Sequence, residues 1–145
     1  MPPLGGCRWL NRRGGSVDFN LINELREVAF AAADAASEVT LSYFRSDRLD
    51  TQNKAAGGFD PVTEADKAAE AAIRAVIHDR RPQDAILGEE HGTTDGQSGL
   101  TWIIDPIDGT TNFAHGHFFF AVSIALYSGS EGLAAVVHAP ALGVT

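Results

Sequence analysis

The sequence predicts an α+β fold in which two helices pack on a mostly antiparallel sheet. Apolar residues recur at helical spacing in two segments of the first half of the chain, residues 21–44 and 63–81. The second half instead contains short runs of β-prone residues that are separated by glycine-bearing loops. A pair of helices followed by several strands is typical of folds in which the helices form one layer and the strands another.

The first predicted helix extends from Leu21 to Phe44. Its apolar residues lie three and four positions apart, so they form a single stripe that can be buried. Asp18 is predicted to be its N-cap, because an aspartate side chain can accept hydrogen bonds from the first free backbone N–H groups of a helix. The polar segment 45–60 contains two consecutive glycines and is predicted to be a loop or a loose hairpin.

The second predicted helix begins near Thr63 and ends near Arg81. Thr63 and Asp66 have the spacing of a capping box, which marks a helix start, and Pro82 marks the end. Strands are predicted in the remainder of the chain at Ala85–Leu87, Thr101–Ile104, Phe118–Tyr127 and Leu133–His138. The large aromatic residues of this region are predicted to lie in the core: Trp102, Phe118, Phe119 and Phe120.

Composition and charge narrow the class of protein. The 145 residues suit one domain, and the net charge of −8 argues against a nucleic-acid partner, which would require a basic patch. No apolar run reaches the ~18 residues that a membrane span needs, so no membrane partner is predicted. The single cysteine, Cys7, cannot form an internal disulfide, which fits a cytoplasmic location. Residues 1–17 are predicted to be a disordered extension, which leaves residues 18–145 as the domain.

Carboxylates recur where predicted elements begin or end. Asp66 lies near the start of the second helix, Glu89 and Glu90 follow the first strand, and Asp105 and Asp108 follow the next. If these two strands are neighbours, their carboxylates leave the sheet at the same edge, where they repel one another unless a cation lies among them. Each position has an ordinary explanation by itself, as a helix cap, a solvated loop or a turn. Together they favour a Mg²⁺ site, because Mg²⁺ prefers hard oxygen ligands.

The segment between and after the two aspartates adds further groups. Pro106 stiffens the predicted turn, and the backbone carbonyl of Ile107 can provide another oxygen ligand. Gly109, Thr110 and Thr111 offer closely spaced backbone N–H groups, and a helix that begins near Thr111 would favour an anion at its start. Metal ligands followed by phosphate donors are what metal-assisted phosphate hydrolysis requires.

Three segments of the sequence resemble the inositol monophosphatase family: Asp60-Pro-Val-Thr-Glu-Ala-Asp66, Gly88-Glu-Glu90 and the highly specific Trp102-Ile-Ile-Asp-Pro-Ile-Asp-Gly-Thr-Thr-Asn-Phe113. The resemblance covers roughly Leu21 to Thr145. It implies the layered αβαβα sugar-phosphatase fold, of which this chain is the N-terminal part. It also implies Mg²⁺-dependent, lithium-sensitive hydrolysis of inositol 1-phosphate or another small phosphorylated polyol or sugar, and a homodimer.

The resemblance implies a role for each matching position. Four residues correspond to ligands of two or three Mg²⁺ ions: Glu89, Asp105, Ile107 through its carbonyl, and Asp108. The backbone that corresponds to the phosphate cradle belongs to Ile107, Asp108, Gly109 and Thr110. Thr110 and Asp66 correspond to a hydroxyl–carboxylate pair that helps to activate the nucleophilic water, and Glu89 assists through the third ion.

Members of this family are considerably longer than 145 residues. Their second half carries another aspartate for the second Mg²⁺ and the residues that select the substrate, so an inactive metal-binding remnant is an alternative. Within the superfamily, the alternative substrates are histidinol phosphate, fructose bisphosphate and phosphoadenosine nucleotides. The continuation Thr111-Asn112-Phe113 favours the inositol phosphatase branch.

Other phosphatase and metal-binding classes fit the motif less well. Haloacid-dehalogenase phosphatases have one residue between their two aspartates, whereas two separate Asp105 from Asp108. An EF-hand requires ligands at alternating loop positions and a final glutamate, which this segment lacks. His115 and His117 are predicted to have structural or solvent-facing roles, because Mg²⁺ disfavours imidazole.

Overall fold

The computed structural model of the protein describes residues 18–46 and 61–145. The helices are α1 (Phe19–Tyr43), α2 (Pro61–Arg80) and the short α3 (Thr110–Ala114). The strands are β1 (Ala85–Gly88), β2 (Gly92–Thr94), β3 (Leu100–Asp108), β4 (Ala121–Ser128) and β5 (Glu131–His138). The extension predicted for residues 1–17 and most of the loop predicted at 45–60 lie outside the described residues.

The strands form one sheet in the order β2-β1-β3-β4-β5. β1 and β3 are parallel neighbours, and every other adjacent pair is antiparallel. This confirms both the predicted mostly antiparallel sheet and the expected contact between the two strands that precede the carboxylates. β2 was not predicted, because its three residues are all exposed and show no apolar alternation.

Helices α1 and α2 pack against each other and against one face of the sheet. Asp18 caps α1 as predicted, since its side chain accepts hydrogen bonds from the backbone N–H groups of Asn20 at 2.9 Å and Leu21 at 3.4 Å. Small side chains on α1 allow close approach, and the sheet contributes larger ones. The buried alanines of α1 are Ala29, Ala32, Ala33 and Ala36, and the buried sheet residues opposite include Trp102, Ile104, Val122, Ile124 and Leu126. None of the helices within the described ranges is both long and apolar enough to cross a membrane.

Helix α2 begins earlier than the sequence predicts. Its first residue is Pro61, which suits a first helical position because the N–H that proline lacks would have no partner there. Thr63 is therefore inside the helix, and the capping-box interpretation of Thr63 and Asp66 is wrong. Asp66 lies in the second turn of the helix and is buried.

The strand predicted from Phe118 begins only at Ala121. Phe118 and Phe119 lie in the loop before it and are 43% and 73% exposed, so their predicted core role is wrong, whereas Trp102 and Phe120 are buried. Asn112 explains the difference: its side-chain amide donates to the carbonyl of Phe119 at 2.8 Å. The backbone of this loop is thus held by α3 instead of by a neighbouring strand.

Asp84 connects the end of α2 to the sheet. Its buried carboxylate accepts hydrogen bonds from Trp102 Nε1 at 2.9 Å and from Arg81 Nε at 3.0 Å, and Arg81 also reaches Glu24 of α1 at 3.0 Å. Burial raises the pKa of Asp84, but hydrogen bonds from Arg81, Ser98 and Trp102 outweigh it and hold the pKa below its ordinary value. The charged form of Asp84 is therefore stabilised by folding.

We expect Asp84→Asn to lower the free energy of unfolding by about 2 kcal/mol at pH 7, because the Arg81 guanidinium loses its buried charged partner. Because the folded-state pKa of Asp84 is lowered, its contribution is fully present above the unfolded pKa of about 4 and declines as the pH falls from there through the folded-state pKa. Urea unfolding at pH 7 and pH 3 should show the difference shrinking at the lower pH. Asp79→Asn, at an exposed position of α2, is the control. An equal loss at both pH values would contradict this account.

Candidate functional site

Asp105 and Asp108 lie within β3, so the turn predicted at this position is wrong. Asp105 pairs with Ser123 and Asp108 with Ala121, so three steps along β3 match two along β4. Such a register shift is the mark of a β-bulge, in which one strand contains an extra residue. Pro106 suits this place because a bulge does not require its missing N–H for the ladder.

The extra residue decides which way Asp108 points. Residues three apart on a regular strand face opposite sides of the sheet, and one inserted residue reverses the alternation. The exposure pattern follows this rule, since Pro106 and Ile107 are both buried while Asp108 is exposed. Ile107 packs against Phe113 and Phe120 in a small second core beneath the site. The bulge thus turns both aspartates to one side and anchors the segment between them.

Glu89 arrives at the same place from the neighbouring strand. In the parallel pairing of β1 with β3, Gly88 lies opposite Ile104. The next residues along the two strands are Glu89 and Asp105, so they leave this edge of the sheet side by side. The sequence-based expectation for these two carboxylates is confirmed.

The Asp105 carboxyl is the electrostatic centre of the site. Burial, the charges of Glu89 and Asp108 and a hydrogen bond with Glu89 together raise the pKa of Asp105 to about 6, and a hydrogen bond from the backbone N–H of Ile107 acts in the opposite direction. Its Oδ1 atom is buried and has no hydrogen-bond partner. A buried carboxylate oxygen that has no hydrogen-bond donor and lies beside two other carboxylates would be stabilised by a bound cation.

The residues at this edge fit a hard divalent cation. The side-chain atoms that could bind a metal here are all carboxylate oxygens, and Asp105 Oδ1 makes no hydrogen bond. Mg²⁺ prefers such oxygen ligands. Among residues 18–46 and 61–145, no three His, Cys, Asp or Glu side chains are already grouped as a metal cage. Mg²⁺ commonly keeps several waters and takes only one or two carboxylates directly, so a closed cage is not required.

The segment after Asp108 contains the backbone N–H groups that are predicted to bind phosphate. Gly109 has a φ of 91°, a conformation that strongly favours glycine, and a Cβ there would lie 2.9 Å from the carbonyl oxygen of Phe119. Helix α3 begins directly afterwards at Thr110, within one residue of the predicted start. The Thr110 hydroxyl donates to the carbonyl of Ile107 at 3.1 Å, which leaves that carbonyl a second lone pair.

The elements that carry Asp66 and Thr110 are in contact. Asp66 is buried on α2, and α2 touches α3, whose first residue is Thr110. The pairing of the Thr110 hydroxyl with the Asp66 carboxylate stays a prediction. His115 and His117 are both exposed, and His115 Nδ1 lies 2.7 Å from the carbonyl of Thr111, in keeping with the structural role predicted for it.

An open cavity of about 350 Å³ adjoins the site. Its size is within the range of small-ligand pockets. Its lining combines acidic and amide groups near the bulge with exposed aromatic and apolar side chains: Asp108, Gly109, Asn112, Phe118, Phe119 and Leu142. The exposed Phe118 and Phe119 thus form one wall of this cavity.

Glu70 was missed by the sequence-based reasoning. Its side chain is fully buried on α2 and accepts hydrogen bonds from the backbone N–H groups of Glu90 at 2.7 Å and His91 at 3.1 Å. Burial raises the pKa of Glu70, but hydrogen bonds from Glu90, Arg74 and His91 outweigh it and hold the pKa below the ordinary value. A sequence signal existed, because Glu70 lies in the apolar stripe of α2 between Ala69 and Ile73.

Comparison with known proteins supplies the context. The model of the inositol monophosphatase family matches residues 21–145. A histidinol-phosphatase of Streptomyces coelicolor is 41% identical over 126 residues, which cover 84% of this chain and 46% of the relative. An inositol-1-monophosphatase of Mesorhizobium japonicum is 40% identical over 113 residues, which cover 77% of this chain and 42% of the relative. The chain therefore spans less than half the length of these relatives.

A solved structure gives the same result for the fold. The inositol monophosphatase from Anabaena is 37% identical and superposes with a TM-score of 0.67, over 83% of this chain and 41% of that one. The residues that the family model matches, 21–145, include the sheet edge that bears Glu89, Asp105 and Asp108.

Proposed function

The chain belongs to the inositol monophosphatase family, and from this premise we propose that it carries the metal- and phosphate-binding part of a Mg²⁺-dependent phosphate-monoester hydrolase. One observation carries the proposal: the buried Asp105 Oδ1, which has no hydrogen-bond donor, lies where Glu89 and Asp108 also converge. Converging carboxylates of this kind repel one another and oppose folding, and a bound cation removes that repulsion.

Each group of the site has a task in this proposal. Asp105, Glu89 and Asp108 hold the cations, with the second lone pair of the Ile107 carbonyl as a further oxygen ligand. When bound, Mg²⁺ neutralises the charge that develops on the phosphoryl oxygens and makes a bound water more acidic. The backbone N–H groups at Gly109 and Thr110 bind the phosphate oxygens, at the point where α3 begins.

Thr110 and Asp66 are assigned to the proton transfer. In this proposal the Thr110 hydroxyl orients the attacking water, and the buried Asp66 carboxylate accepts the proton that the water loses. This arrangement needs the hydroxyl to release its present hydrogen bond to the Ile107 carbonyl, a change of one side-chain rotamer.

Inositol 1-phosphate is the first candidate substrate. The Thr111-Asn112-Phe113 continuation of the motif and the Mesorhizobium relative support it. Histidinol phosphate is the second candidate, because the relatives from Streptomyces coelicolor and Mycobacterium tuberculosis are histidinol-phosphatases. Both substrates are phosphate monoesters of small alcohols. From the family resemblance we also propose that the protein is a homodimer in the cytoplasm.

We expect the chain to release inorganic phosphate from inositol 1-phosphate in the presence of Mg²⁺ and to stop when EDTA is added. Phosphate release is measured in parallel on histidinol phosphate, and the larger kcat/KM identifies the substrate. Lithium should inhibit the preferred reaction. If neither ester, nor fructose bisphosphate, nor a phosphoadenosine nucleotide is hydrolysed, the chain is not an active enzyme. Calorimetric Mg²⁺ binding without turnover would then identify an inactive metal-binding remnant.

A further inference from the structure

We propose that Glu70, fixed by Arg74, is a positioning residue that holds the turn after β1 so that Glu89 reaches the cation site. This inference rests on the proposed function, because it assigns Glu70 to the support of a proposed metal ligand. Glu70 does not itself face the site, since its carboxylate is occupied by the turn and by Arg74.

Two consecutive backbone N–H groups of the turn point at one carboxylate. Glu70 Oε2 accepts from the N–H of Glu90 at 2.7 Å, and Glu70 Oε1 accepts from the N–H of His91 at 3.1 Å. Glu90 directly follows Glu89, so these hydrogen bonds fix the backbone on the C-terminal side of the ligand. On its N-terminal side, Gly88 is fixed by the parallel pairing with Ile104. Glu89 is thus the one residue between two anchored positions.

Arg74, one turn further along α2, holds both Glu70 and strand β2. Its Nε donates to Glu70 Oε1 at 2.7 Å, and its other nitrogens donate to the carbonyl of Gly92 and to Thr94 Oγ1. One guanidinium therefore orients the carboxylate and at the same time ties down the strand β2 that leaves the turn. A planar group with several donors can do this, whereas an ammonium group cannot reach all three acceptors.

Gly88 shows that the chain makes room for this contact. A Cβ at Gly88 would lie 2.2 Å from Glu70 Oε1 and 2.8 Å from an Arg74 side-chain nitrogen. The carboxylate therefore lies against bare backbone, at the position just before Glu89. Without the contacts of Glu70 and Arg74, the turn would depend on β2, a three-residue strand at the edge of the sheet with all of its residues exposed.

A loosely held turn would weaken cation binding, because ordering the Glu89 backbone would then oppose binding entropically. Groups that orient metal ligands typically change metal affinity or activity by about 10–100-fold when they are replaced. Glu70→Gln keeps the shape of the side chain. In the wild type, the N–H groups of Glu90, His91 and Arg74 share two carboxylate oxygens, whereas the glutamine amide offers them only one acceptor oxygen. We expect a roughly 10–100-fold weaker affinity for Mn²⁺, used as the probe for Mg²⁺ and measured by electron paramagnetic resonance.

Two further readouts separate positioning from general destabilisation. Amide hydrogen exchange at Glu90 and His91 should accelerate in Glu70→Gln, while exchange in α1 stays as in the wild type. Where turnover is measurable, excess Mg²⁺ should restore kcat, because the ligand itself is intact. Glu24→Gln makes the same chemical change at an exposed ion pair with Arg81 and should leave Mn²⁺ affinity unchanged.

Arg74→Lys is the second variant, in case Glu70→Gln does not fold. It keeps the charge beside Glu70 but loses the bridge to β2, so an intermediate loss of Mn²⁺ affinity is expected. Wild-type Mn²⁺ affinity in folded Glu70→Gln, or in Arg74→Lys if the first variant is unfolded, would overturn the positioning role alone. A wild-type chain that does not bind Mn²⁺ would overturn the proposed function, and the positioning role with it.

Discussion

Replacing Asp105 with asparagine is expected to abolish Mg²⁺-dependent phosphate release and to make the metal-free protein more stable. The two effects have one cause. Burial and the charges of Glu89 and Asp108 raise the pKa of Asp105 to about 6, so folding disfavours its charged form. At pH 7 the wild type must keep this charge without a compensating donor at Oδ1. Asparagine removes the repulsion, and with it the anionic ligand that the cation needs.

The loss of activity should reach at least about 100-fold, because removal of a direct ligand exceeds the effect of removing a group that only orients one. The gain in stability should appear in urea unfolding at pH 7 with EDTA present. Asp95→Asn, at an exposed loop position, should change neither quantity. A variant that keeps wild-type turnover would refute the ligand role of Asp105. A variant that is less stable than the wild type in EDTA would refute the electrostatic account.

The convergence of Glu89 and Asp105 was predictable on the condition that their two strands are neighbours in the sheet. Glu89 and Asp105 each follow a short apolar run, and parallel neighbouring strands release their next residues at one edge. The bulge in β3 was not predictable in the same way. Asp105-Pro-Ile-Asp108 reads equally well as a turn, and only the pairing of β3 with β4 shows where the extra residue lies.

The other differences between prediction and structure come from tertiary contacts. Phe118 and Phe119 have the composition of a strand, but Asn112 takes the backbone acceptor that a strand would use. Glu70 interrupts an apolar stripe, and its partners are backbone groups twenty and twenty-one residues further along the chain. Sequence periodicity reports which residues face the interior, but it does not report the partner that a buried charge finds there.

Replacing Gly88 with alanine is expected to lower the free energy of unfolding by about 3 kcal/mol, since it combines overpacking with the loss of buried hydrogen bonds. The added Cβ would meet Glu70 Oε1 at 2.2 Å and the Glu70 Cδ at 2.5 Å, so the carboxylate has to leave the turn. Gly132→Ala is the matched control within another strand, where the added Cβ is 3.7 Å from the Tyr127 ring, an ordinary contact. That variant should change stability by less than about 1 kcal/mol.

A double-mutant cycle distinguishes this clash from a general intolerance of side chains in β1. Glu70→Ala removes the two atoms that approach the new Cβ most closely and leaves only the Arg74 nitrogen at 2.8 Å, at the end of a flexible side chain. Introducing Gly88→Ala into Glu70→Ala should therefore cost less than about 1 kcal/mol in urea unfolding, against about 3 kcal/mol in the wild type. Equal costs in both backgrounds would mean that Gly88 is needed for the backbone itself. A cost that disappears would show that this glycine is required by the carboxylate behind the Glu89 turn.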